Sequence, residues 1–338
     1  MKYLFILLLS TALFSFNSCK PNHKYIRNEG LIFGTIYHIS YEEPNGNDLH
    51  EGIKSLLNEF NQSLSTYDSS SVISRINSNQ DLSADQYFLT VYKKAEKVSS
   101  ITDGAFDITV APMVNVWGFG FKNKEQVTPE LIDSLKELVG YKKVKLINGK
   151  IEKAHANTML DCSAIAKGFA VDVVAGYIRD QGCTNYMVEI GGEVVARGVN
   201  PKGKAWNIGI SKPDDDILVQ DQQLQAIVEL SDKALASSGN YRNFYIEGGK
   251  KYAHTIDPKT GYPVQHSLLS STVLADSCMT ADAFATAFMV LGLEKSIEIA
   301  NAVPEIEVYF IYTDENGDYK SYFSDGFRSL IQEENMQP

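Results

Sequence analysis

Apolar residues recur along this chain with two distinct periods. In the stretch Asp48 to Leu64 they fall at positions 49, 53, 56, 57, 60 and 64, the spacing of one helical face. Ala84 to Ile101 repeats that pattern. Thr128-Pro129 reads as a helix start, with Thr as cap and Pro at the first helical position, for a helix that runs to Val139 and stops at Gly140. Further helices are predicted from near Ala164 to Asp180, over Thr280 to Leu291, and over Leu293 to Ala302. Leu31 to Tyr41, rich in β-branched and aromatic residues, predicts one strand. Asn148-Gly149 within Val144 to Ile151 marks a hairpin. Tyr186 to Val199 predicts two strands around Gly191-Gly192, and Trp206 to Ser211 and Leu224 to Leu230 one each. Glu307 to Thr313 pairs with Tyr319 to Phe323 across Asn316-Gly317. Helices mixed with hairpins, without an internal repeat, indicate an α+β fold with largely antiparallel sheets and flanking helices, not a doubly wound parallel sheet.

The N-terminus has a different pattern. Met1-Lys2 precedes a mostly apolar run from Tyr3 to Phe16, too short to span a bilayer and suited to a signal-peptide core. Ser18 immediately before Cys19 resembles a bacterial lipoprotein cleavage site. The expected organisation is a signal peptide over 1–18, a polar tether over 19–30 and a folded domain over 31–330. Cys19 would be the lipidated first residue of the mature chain. The expected location is the cell envelope, with the domain anchored to a membrane outside the cytoplasm, on the periplasmic side. The alternative is an ordinary secretory signal with an incidental cysteine. Cys162, Cys183 and Cys278 show no CxxC spacing and lie in apolar segments, so they are expected as small buried residues, not as a disulfide framework or a zinc site.

Lys and Arg number 31 against 42 Asp and Glu, a formal net charge of −11. That balance argues against a nucleic-acid binder, which would show a basic face. No GxxxxGK[ST], GxSxG, HExxH or EF-hand pattern occurs, and Gly118-Phe119-Gly120 lacks the third glycine of a dinucleotide-binding turn.

Four segments combine residues that can carry chemistry. Thr102 to Asp107, running on to Pro112 and Trp117 to Gly120, interleaves small residues with Asp and aromatics and suits a loop against a planar ligand; a turn capped by Gly104 is the plainer alternative. Leu160 to Gly168 is a small-residue entry into a helix, where amide groups and Lys167 suit phosphate, unless Lys167 is merely solvated. Asp282 and Thr286, at i and i+4 in an apolar helix, offer hard oxygens of the kind Mg²⁺ takes. The alternative for Asp282 is a hydrogen bond to a backbone amide. His254, within Tyr252 to Pro258, suits a general base or phosphate contact, or a structural hydrogen bond; Asp257 to Gly261 also reads as a plain turn.

Taken in order, these segments resemble the ApbE family of FAD:protein FMN transferases. Phe33-Gly34-Thr35 with Tyr37, Leu64 to Asp68 with Ser71, Gly191-Gly192 and Ala236 to Tyr241 add to the match, which runs from about residue 31 to 325. The resemblance implies a two-lobed α+β protein with FAD in the cleft between lobes. It implies Mg²⁺-dependent transfer of FMN from FAD to a Thr or Ser hydroxyl of a partner flavoprotein, releasing AMP. Carried over, Asp282 and Thr286 become metal ligands with the carbonyls of Ala164 and Ala285. Tyr67 packs on the isoalloxazine, and Phe33, Ala105, Phe106, Asp107, Asp161, Lys167 and Ile256 line the FAD site. His254 assists the attacking hydroxyl. Implied acceptors are subunits of Na⁺-translocating NADH:quinone reductases, Rnf complexes and some flavin-dependent reductases. The alternatives are a Mg²⁺-dependent FAD pyrophosphatase and a flavin-binding lipoprotein without turnover. Two departures from the family pattern are Phe33 in place of the usual Met and Cys162-Ser163 in the Asp-x-x-Ala segment.

Overall fold

The computed structural model describes residues 24–122, 125–213, 224–240, 244–247 and 250–334. The expected signal peptide, Cys19 and Tyr241 lie outside the described residues. In chain order, a hairpin of β1 (Tyr25–Ile32) and β2 (Thr35–Glu42) precedes helices α1 (His50–Leu64), α2 (Val72–Asn77), α3 (Gln86–Ile101), α4 (Ala111–Val116) and α5 (Pro129–Lys136). A second hairpin, β3 (Val144–Ile147) and β4 (Lys150–Lys153), leads to α6 (Ser163–Asp180). Then come β5 (Tyr186–Ile190), β6 (Glu193–Arg197), β7 (Trp206–Ser211), β8 (Leu224–Leu230), β9 (Lys233–Gly239), β10 (Phe244–Glu247), β11 (Lys250–Ala253) and β12 (Leu268–Ala275). The chain ends with α7 (Cys278–Leu291), α8 (Leu293–Ala302), β13 (Ile306–Thr313), β14 (Tyr319–Phe323), α9 (Asp325–Arg328) and β15 (Ile331–Glu334).

The main sheet has the order β1-β2-β5-β6-β9-β12-β13-β14, and every adjacent pair in it is antiparallel. Its central strands are buried on both faces. Val195, Ala234, Ala236, Val273, Val308 and Phe310 point to a core shared with the helices. Their neighbours Val194, Ala196, Leu235, Leu274, Tyr309 and Ile311 point to the opposite core, shared with the small sheet β15-β8-β7. This is the period of two expected of a pleated strand, but with an apolar partner on each side. A third, smaller core gathers Met113, Trp117, Ile132, Val139 and Ile256.

α7 is buried all round because a largely apolar helix has no polar face to show water. α6 packs against it, closely enough that a Cβ at Gly168 would stand 2.4 Å from the carbonyl oxygen of Cys278. Asp172 of α6 accepts from the amides of Cys278 and Met279 at 2.8 and 2.9 Å and from the Ser277 hydroxyl at 2.7 Å. A carboxylate from one helix thus caps the N-terminus of the other and fixes their relative position.

Several sequence expectations change, among them the helix predicted to run to Val139, which ends at Lys136. Leu31 to Tyr41 is not one strand but the turn of a hairpin, because Phe33 and Gly34 both take positive φ, 52° and 72°, as a tight two-residue connection requires. The stretch read as a tether already contains β1 from Tyr25, which pairs along its length with β2. Cys162, Cys183 and Cys278 are buried and free. Among the described residues no helix is long and apolar enough to cross a membrane.

Candidate active site

Phe33 stands at the tip of the first hairpin. An aromatic residue at φ 52° is strained, and strain of this kind persists where the surroundings over-determine it. Here the ring packs on Phe60, 5.6 Å between centroids, and lines a cavity of about 260 Å³. The same cavity is lined by Leu64 at the end of α1, by Ser65, Thr66 and Tyr67 beyond it, and by Asp161, Ser163, Ala166 and Lys167 at the start of α6. Tyr67 is 80% exposed, with its ring free of the core. Thr66 and Tyr67 also border a second cavity of about 700 Å³. Its other walls include the polar Ser74, Asn77, Asn79, Asn115 and Asn157, the charged Lys122 and Glu125, and the apolar Val116, Leu135 and Leu138.

Asp161 turns the chain into α6 by accepting from the Ser163 amide at 2.8 Å. Lys167, the fifth residue of that helix, is not held as a free cation. Its Nζ lies 2.5 Å from Glu193 Oε1 at the head of β6. Lys167 is about a third exposed, whereas Glu193 is only 3% exposed and its Oε2 has no hydrogen-bond partner. Burial pushes the Lys167 ammonium down, but the charges of Glu193 and Asp282 outweigh it and the net direction is up. Burial pushes the Glu193 carboxyl up, against the pull of Lys167.

Asp282 lies one turn inside α7, buried, with Oδ2 accepting from the Gly168 amide at 2.9 Å. In a regular helix that amide serves the carbonyl of residue 164. Asp282 therefore does bond a backbone amide, as the plainer alternative had it, yet burial still raises its carboxyl above the usual range. Thr286, one turn further on, has its hydroxyl 3.3 Å from that of Ser238 on β9. Ala164 begins α6 and Ala285 precedes Thr286 on α7.

The donor set fits a small hard cation. One buried carboxylate, Glu193, pairs with the Lys167 ammonium and leaves an oxygen unpartnered, the charge of a second, Asp282, acts on the same ammonium, and a hydroxyl lies one helical turn from Asp282. Among the described residues no group of three or more His, Cys, Asp or Glu side chains is arranged to hold a metal. A cation here would draw on hydroxyl, carbonyl, water and substrate oxygens as well, which is how Mg²⁺ is commonly held.

The remaining candidate site residues do not line either cavity. Phe106 belongs to the main core and Ile256 to the small one, and Ala105 is also buried. Asp107 is a fold staple: it accepts from the amide and hydroxyl of Thr109 at 2.8 and 2.7 Å and from the Tyr141 amide at 2.7 Å. His254 follows β11 and is half-buried, edge-on to Phe119 at 6.4 Å. Trp117 donates to the carbonyl of Gly261 at 2.8 Å and stacks on Tyr252, so the Asp257 to Gly261 turn and the Trp117 segment pack together. The segment from Pro112, read as loop, starts with the short helix α4.

Sequence reasoning missed Glu193 and Ser238 as site neighbours. Glu193 had a signal: a carboxylate heading an apolar strand must find an internal partner. Ser238 had none beyond its place in a family-like segment.

The sequence model of the ApbE family matches residues 33–310. An FAD:protein FMN transferase of Haemophilus influenzae is 39% identical over 335 residues, covering 94% of this chain and 95% of the relative. One from Vibrio cholerae is 38% identical, covering 93% and 95%. Among solved structures, the flavin transferase ApbE from Vibrio cholerae superposes with a TM-score of 0.81 at 38% identity, covering 91% of this chain and 99% of that one. The flavinyl transferase ApbE of Pseudomonas stutzeri also reaches 0.81, at 31% identity, covering 92% and 98%.

Proposed function

We propose, from the premise that the chain belongs to the ApbE family, that it transfers FMN from FAD to a Thr or Ser hydroxyl of a partner flavoprotein. The observation that carries this reading is the double position of Lys167. It lines the cavity with Phe33 and Tyr67, and it ion-pairs with Glu193 beside the buried Asp282. The reactive phosphates of a nucleotide in that cavity would meet charge at this seam.

The isoalloxazine fits between Phe33 and the exposed Tyr67, where an aromatic face without core contacts gains most from stacking. The nucleotide half extends into the larger cavity, whose Ser and Asn side chains suit ribose and base edges. Asp282 and Thr286, with the carbonyls of Ala164 and Ala285, would hold Mg²⁺. The Gly168 amide, which in a regular helix faces the Ala164 carbonyl, bonds Asp282, so the two oxygens lie about one amide and are placed to act together. When bound, the ion supplies charge neutralisation on the phosphate oxygens.

His254 accepts the proton of the acceptor hydroxyl. The hydroxyl oxygen then bonds to the FMN phosphorus, the bridging P–O bond to the adenylate breaks, and AMP leaves with the electron pair. Lys167 offsets negative charge on the phosphates as that bond breaks. Ala105, Phe106, Asp107 and Ile256 act from behind, by holding the walls. The envelope location follows from Cys19 as a lipid anchor, and acceptors such as subunits of Na⁺-translocating NADH:quinone reductases or Rnf complexes suit that location.

The test is incubation with FAD, Mg²⁺ and an acceptor domain, followed by intact mass of the acceptor. Gain of one FMN supports the reading. AMP and free FMN with an unmodified acceptor would instead make the protein a pyrophosphatase, and intact FAD throughout would reject both.

A further inference from the structure

The orphaned oxygen of Glu193 has no place in the reaction above. Glu193 heads β6, is 97% withdrawn from solvent by its 3% exposure, and spends only Oε1, on Lys167. Asp282 is the other buried carboxylate that acts on the same ammonium. One cation therefore faces two anions, and it is bonded to the one that is not on α7.

We infer that Glu193 is a positioning residue: it draws the Lys167 ammonium away from Asp282 and so leaves Asp282 available to a divalent cation. The inference rests on the proposed Asp282–Thr286 metal site. Its logic is competition. Without the Glu193 charge, Asp282 is the remaining carboxylate whose charge acts on Lys167, and an ammonium paired there opposes a metal ion both by occupying the oxygen and by repulsion. With Glu193 in place the ammonium is held at 2.5 Å by a carboxylate that is not on α7, and Asp282 is left to the metal position. Lys167, about a third exposed, stays within reach of the cavity.

The test measures Mg²⁺ binding to the FAD-free protein by calorimetry, with the shift in melting temperature between EDTA and Mg²⁺ as a second readout. Glu193→Gln, nearly equal in volume, should raise the Kd for Mg²⁺ at least tenfold. Lys167→Met/Glu193→Gln, which removes the competitor as well, should recover binding to within about threefold of the unsubstituted protein. Glu193→Asp, which keeps the charge and shortens its reach, should fall between. Asp282→Ala controls for the site itself. If the unsubstituted protein binds no Mg²⁺, or Asp282→Ala binds it equally well, the metal site is wrong and this inference falls with it. If Asp282→Ala loses Mg²⁺ but Glu193→Gln keeps the original Kd, or the double variant is no better than Glu193→Gln, the metal site stands and the role of Glu193 is refuted. Melting temperatures in EDTA show whether each variant folds.

Discussion

Two glycines on one helix separate close packing from helix preference. Gly168 and Gly176 both lie within α6. A Cβ at Gly168 would stand 2.4 Å from the Cys278 carbonyl oxygen, 2.7 Å from Asp282 Cβ and 2.8 Å from the Cys278 carbonyl carbon. Ordinary contact begins at 3.4 Å, so the oxygen must retreat by 3.4 − 2.4 = 1.0 Å. Two of these atoms are backbone of α7, whose N-terminus Asp172 pins, so the helix must move as a unit. Overpacking of this kind costs about 3 kcal/mol, the upper end of its usual range, and the better helix preference of Ala returns about 1 kcal/mol. Gly168→Ala should therefore lose about 2 kcal/mol. At Gly176 the nearest atom is Arg179 Nη2 at 3.9 Å, so Gly176→Ala should gain about 1 kcal/mol. Urea denaturation midpoints and melting temperatures read the gap of about 3 kcal/mol, roughly 4 °C for a chain of 338 residues. Gly168→Ala should also weaken Mg²⁺ binding, because the amide that holds Asp282 moves with the helix. Equal stability of the two variants would refute the described contact between α6 and α7.

Phe33→Asn should relieve a strained φ, worth about 1 kcal/mol, and lose the contact with Phe60; melting temperature should change little while FAD affinity, by equilibrium fluorescence, falls at least tenfold. Tyr67→Ala, at an exposed ring, should leave the melting temperature unchanged and weaken FAD binding by about 1 kcal/mol, the worth of one aromatic stack. His254→Ala should slow single-turnover transfer more than it weakens FAD binding, and an unchanged rate would assign the ring to structure. Asp48 is held below its ordinary value of 3.8, first by the Asn28 amide and then by the His50 amide and Tyr41. Its contribution to stability is present above that value and is lost as pH falls below it, so Asp48→Asn should flatten the acid limb of a stability–pH curve.

How much of this was legible depended on where each residue's partner lay. Local signals held. Thr128 caps its helix through the Leu131 amide, as Thr-Pro predicted, and Asn148-Gly149 and Asn316-Gly317 close hairpins. Asp282 and Thr286 fall on a buried helix as their spacing indicated. β9 and β12 were not legible as strands, although they lie at the centre of the main sheet. β12 has apolar neighbours on both faces and buries Ser270, Ser271 and Thr272 between them, so neither alternation nor a clean apolar run marks it. The hairpin tip was hidden because Phe33 is a residue that rarely takes positive φ. The pairing of Lys167 with Glu193 was hidden because the two lie 26 residues apart, one on a helix and one on a strand. Pairings of that range are decided by topology and leave no trace in local pattern.

The central claim is that the buried charge beside the cavity serves FMN transfer. The direct measurement is the intact mass of a Thr-containing acceptor domain after incubation with FAD and Mg²⁺, for the unsubstituted protein, for Asp282→Ala, and for the unsubstituted protein in EDTA. The account expects one added FMN in the first case and none in the other two, with Asp282→Ala still folded. FMN transfer by Asp282→Ala at the unsubstituted rate, or transfer undiminished by EDTA, would contradict it.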